Sequence, residues 1–80
     1  MGTLTERMTN VFRMVLGDPT ITLEDSTTAA DIEGWDSVAH INLMFALEAE
    51  FGIQFAGNEF ARFTDVGDLR RTLEAKTGLA

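Results

Sequence analysis

Apolar residues recur at helical spacing in three stretches of this chain, and two turn-rich segments separate them. The first stretch runs from about Thr3 to Leu16, with Met8, Val11, Phe12 and Val15 on one stripe. Thr3 and Glu6 have the spacing of a capping box, and Gly17 followed by Asp18-Pro19 predicts the stop. The second stretch begins near Ser37, runs to about Phe51 and ends at Gly52. The third runs from about Asp65 to Lys76, capped by Thr64 or Asp65 and closed by Gly78, with Val66, Leu69 and Leu73 inward. Residues 18–35, "DPTITLEDSTTAADIEGW", are rich in turn formers, and Ile21, Leu23, Ile32 and Trp35 are expected to pin them to the core. In "IQFAGNEFARF", Gly57 and Asn58 signal a turn, with one short helical turn expected around Glu59 to Arg62. The expected class is all-α: a small bundle of three main helices plus one short helix, with a long loop between the first two helices, in a single domain spanning 1–80.

The second stretch is apolar over more than one face. Leu43, Met44, Leu47 and Phe51 cluster in one sector, with His40 among them. Val38, Ile41 and Phe45 fall in an adjacent sector, and Glu48 lies at its margin. A surface helix needs an apolar stripe only about 100° wide. Either the helix is central and both sectors are core, or the second sector is an exposed docking strip.

Composition narrows the chemistry. An 80-residue chain sits near the lower limit for an independent core, and no cysteine is available to brace it. A single histidine and no cysteine argue against a metal centre, so no metal site is expected. The segment "DIEGWDSVAHIN" lacks the glycine and closing glutamate of a calcium-binding EF-hand. Thirteen acids against six bases give a net charge of −7. That charge disfavours nucleic acid and anionic membranes, favours partners with basic docking surfaces, and keeps a small protein soluble. No run approaches the roughly 20 apolar residues that span a bilayer. No signal peptide is recognised, and Glu6 stands where "MGTLTE" would need Ser or Thr for myristoylation. A cytoplasmic monomer is expected.

Ser37, at the mouth of the second helix, has three possible roles. It suits a helix cap, since Ser and Asp both accept free N–H groups at helix starts. As a nucleophile it lacks a Gly-x-Ser-x-Gly elbow, although His40 is close enough in sequence to approach it. A histidine bonded to a loop or to the core is the commoner use of such a residue. As an attachment point, a hydroxyl at a helix N-terminus is exposed, and a phosphodiester formed there would meet free N–H groups and the positive end of the dipole.

With its flanks, "DSVAHINLMFALEAEFGI" resembles the acyl carrier protein family, the phosphopantetheine-binding carriers. An Asp-Ser opens the second helix, Glu48, Glu50, Phe51, Gly52 and Ile53 match its exit, and "FTDVGDL" loosely matches the last helix start. The resemblance extends over nearly the whole chain. It implies that Ser37 accepts 4′-phosphopantetheine from coenzyme A through a phosphopantetheinyl transferase, with Asp36 as the preceding acid. The attached thiol would hold acyl intermediates as thioesters for acyl-loading and acyl-processing enzymes, leaving the carrier itself non-catalytic. Val38, Ile41, Phe45 and Glu48 would dock partners, while Leu43, Leu47 and Phe51 would line the core.

Trp35, Ala39, Asn42 and Ala49 depart from carriers of general fatty-acid synthesis, three of them by thinning the acidic face. This implies a discrete carrier for a specialised polyketide, lipid or saccharide-acylation pathway. The alternatives are an aminoacyl or peptidyl carrier, and an unmodified helical interaction module in which Ser37 is only a cap.

Overall fold

The computed structural model describes residues 3–57, 59 and 63–79. Three α-helices occur in chain order: α1 (Leu4–Leu16), α2 (Ser37–Phe51) and α3 (Val66–Thr77). A 3₁₀ turn, Ala29–Asp31, interrupts the loop between α1 and α2. No strand occurs among the described residues. The short helix expected around residues 59–62 falls mostly outside the described residues.

Local chemistry sets the limits of α1. The Thr3 hydroxyl accepts the Glu6 N–H at 3.1 Å. At the far end Gly17 adopts φ +67°, and its N–H donates to the Arg13 carbonyl. Without a Cβ this left-handed turn is unstrained. Leu4, Met8, Val11 and Phe12 are buried, and α1 packs against both α2 and α3. Leu43, Met44 and Leu47 of α2, with Val66, Leu69 and Leu73 of α3, complete the centre of the core.

The long loop is held in place by both its backbone and its side chains. Ile21 is buried, and Leu23, Ile32 and Trp35 pack partly against the core. Arg13 Nε donates to the Ile21 carbonyl at 2.8 Å. Farther on, the Thr27 and Asp25 carbonyls accept the N–H groups of Val66 and Gly67 at 2.8 and 2.9 Å. Arg70 grips the Asp25 carboxylate with two nitrogens, at 2.8 and 2.9 Å, and also pairs with Glu74. The contact at Gly67 is so close that a Cβ there would lie 3.0 Å from the Asp25 carbonyl oxygen. These bonds satisfy donors that a helix start leaves open, so the loop seals the start of α3.

Candidate functional site

The start of α2 is organised by Asp36. Its carboxylate accepts the Ala39 N–H at 2.8 Å, which makes Asp36 the N-cap. The reading of Ser37 as the cap is therefore corrected: Ser37 is the first helical residue. Asp and Ser are both good caps, and the acid one residue earlier reaches the N–H first. The Ser37 side chain is exposed, and among the described residues no group hydrogen-bonds its hydroxyl.

Trp35 and His40 frame the site. Trp35 Nε1 donates to His40 Nδ1 at 3.1 Å, and the two rings lie nearly parallel, 13° apart with centroids 6.0 Å apart. Below them the Trp35 ring meets Phe12 of α1 edge-on at 5.0 Å. His40 is thus a loop-bonding histidine rather than a member of the inner sector, and Nδ1 is already taken as an acceptor. Beside this pair a groove of about 470 Å³ opens at Ser37. Asp36, Ile41 and the Trp35–His40 pair line it, together with Ala29 and Phe63. A smaller pocket of about 60 Å³ continues past the same aromatic residues towards Leu69.

The two sectors of α2 separate cleanly. Leu43, Met44 and Leu47 are fully buried, whereas Val38, Ile41 and Phe45 are 69%, 46% and 58% exposed. Phe51 is half-buried, with Arg7 lying 4.5 Å over its ring.

Glu48, at the margin of the exposed strip, is half-buried, and its Oε2 accepts the Phe55 N–H at 2.8 Å and braces the chain beyond α2. Glu50 is held by Arg7, which bonds both its carboxylate and its carbonyl. Both acids of α2 thus make bonds within the fold, and Glu50 stays exposed. Sequence reasoning did not anticipate the Trp35–His40 bond, since a pair spanning a helix boundary leaves no periodic signal. It also missed Leu4, which is buried right at the α1 cap.

Comparison with known proteins gives this geometry a family. The phosphopantetheine attachment site family matches residues 6–73. The chain belongs to that family. A solution structure of holo acyl carrier protein from Geobacter metallireducens is similar at 40% identity and a TM-score of 0.85, covering 98% of this chain and 88% of that one. None of the curated proteins compared matches. The fold is that of an acyl carrier protein, and its role is that of a phosphopantetheine-dependent carrier which works with partner enzymes. No described helix is long and apolar enough to cross a membrane.

Proposed function

We propose that Ser37 is the residue that takes up the prosthetic group, and that this chain carries acyl groups between enzymes without transforming them itself. The exposed Ser37 hydroxyl is the observation that carries this proposal: it stands beside the Asp36 cap at the mouth of a groove, within the matched family span. The residues fit the group. The hydroxyl is accessible, and among the described residues the N–H groups of Ser37 and Val38 have no acceptor. They lie where a phosphodiester would be favoured by the helix dipole.

In the loading reaction, Ser37 Oγ bonds to the phosphorus next to the pantetheine of coenzyme A as the phosphoanhydride bond breaks. Adenosine 3′,5′-bisphosphate leaves, and the serine proton passes to the transferase. Once attached, the group supplies a thiol that binds acyl chains as thioesters. Asp36 fixes the backbone that presents Ser37, and it is also placed to be recognised by the transferase.

Val38, Ile41 and Phe45 form the proposed docking strip. Exposed apolar contacts of this size suit brief encounters, and the overall charge of −7 steers basic surfaces towards the carrier. With Glu48 and Glu50 tied down, contact on this strip is mainly apolar, which supports dedicated partners in a specialised polyketide, lipid or saccharide-acylation pathway. Coenzyme A is an intracellular metabolite, so loading is proposed for the cytoplasm.

The test is incubation with coenzyme A, magnesium and a broad-specificity phosphopantetheinyl transferase, followed by thiol titration. The chain has no cysteine, so one thiol per chain is expected after loading and none in unmodified protein. A chain that gains no thiol while a control carrier is loaded, and that was not modified when purified, would contradict the proposal.

A further inference from the structure

The groove beside Ser37 is paved in a specific way. Trp35 is rooted on Phe12 in the core, and its indole N–H is bonded to His40, one turn into α2. Two aromatic rings, one from the loop and one from the helix, are thereby locked nearly parallel next to the attachment residue. Ile41 lies four residues after Ser37, and such residues are neighbours on one helical face, about 5–6 Å apart at Cβ. The volume, about 470 Å³, lies in the range of about 300–1,000 Å³ that holds small ligands. Phe63 also lines the groove.

We propose that Trp35 and His40 form a platform which, with Ile41, holds the proximal part of the prosthetic arm against the protein rather than releasing it to solvent. This deepens the assignment of Ser37 and rests on it. The chemistry of the arm fits the surface. Just beyond its phosphoester methylene lies a quaternary carbon bearing two methyl groups. A phosphodiester on Ser37 brings those methyls to the groove mouth, where the Ile41 side chain and the Trp35 ring are among the apolar surfaces that line it. The Trp35–His40 hydrogen bond keeps the indole in place and spares its buried edge an unpaired donor. Trp35 and His40 are positioning residues: they act on the arm, and the reacting thiol lies at its far end. A held arm presents its thiol from a defined direction. It also lowers the conformational freedom that a partner enzyme would otherwise have to remove.

The experiment uses isotope-labelled protein loaded with an unlabelled arm, with loading first confirmed by intact mass. Nuclear Overhauser contacts are expected from the geminal methyls of the arm to the Trp35 ring and Ile41, together with a shifted Trp35 Nε1–H resonance. Trp35 is the only tryptophan, so its fluorescence should change on loading as well. Trp35→Ala should weaken the methyl contacts several-fold. Because that variant also loses packing on Phe12, Ile41→Asn serves as a second one: its side chain is exposed, so the fold should persist while the methyl contacts weaken. If the mass shows full loading, yet the Trp35 and His40 resonances are unchanged and the arm methyls tumble as in free solution, the platform is refuted and Ser37 remains the attachment site. A chain that gains no mass overturns the attachment of the arm, and the platform with it.

Discussion

The starts of α2 and α3 carry the same cap and are finished differently. Asp36 accepts the Ala39 N–H, and Asp65 accepts the Asp68 N–H. At α3 the next two donors are covered by the chain itself, through the carbonyls of Thr27 and Asp25. At α2 the corresponding residues are Ser37 and Val38, both exposed beside an open groove. One helix start is sealed for stability and the other is left accessible. The contrast extends along α2, whose inner sector is fully buried while its outer sector shows three large apolar side chains to solvent.

The most forceful way to break this contrast is to truncate one residue from each sector of α2. Leu47→Ala removes a fully buried side chain and should cost about 2–5 kcal/mol, whereas Phe45→Ala removes one that is 58% exposed and should cost distinctly less. Denaturant unfolding of both variants checks this, and comparable losses would place Phe45 in the core. Gly67→Val tests the sealed start next. It drives a branched side chain against the Asp25 backbone and should cost about 1–3 kcal/mol, read as a lowered Tm.

Smaller effects separate the two neighbours at the open start. Asp36→Ala removes a cap and should cost about 0.5–2 kcal/mol. Ser37→Ala removes no described hydrogen bond and should shift stability by no more than about 0.5 kcal/mol. The reverse order would make Ser37 the cap after all.

The smallest effect is electrostatic and belongs to the sealed side. The Thr64 hydroxyl, and then the Arg71 guanidinium, hold the Asp68 carboxyl down to about 2, and the Arg70 guanidinium lowers Asp25. Carboxyls depressed in the folded state contribute stability above their ordinary value near 3.8, and that contribution is lost as pH falls through their folded values. Asp25 is exposed and Asp68 partly so, and solvent screens both, so the expected result is a modest fall in Tm between about pH 4 and pH 2. Asp25→Asn should reduce this dependence.

Much of this architecture was legible because it is local. Helix α2 runs from Ser37 to Phe51 as its glycine and its apolar run predict, and Ile21, Leu23, Ile32 and Trp35 all pack on the core. The division of α2 into inward and outward sectors followed from helical geometry, although periodicity alone did not decide that the second sector is exposed. What stayed hidden depends on distant partners. Glu48 is drawn to Phe55, Glu50 to Arg7 and Asp25 to Arg70, and Gly67 is needed because another strand of backbone crosses it. The cap at α2 was ambiguous for a different reason. Asp36 and Ser37 are adjacent and both qualify, and only the observed Ala39 N–H bond separates them.

The central claim is that Ser37 is an exposed tether and not a structural residue. Its most direct test is to load the wild-type chain and Ser37→Ala side by side, then locate any modification by fragment mass spectrometry. The expected result is one phosphopantetheine mapped to Ser37 in the wild type, and none in a Ser37→Ala protein that remains folded. A modification on another residue, or a loaded Ser37→Ala chain, would contradict it.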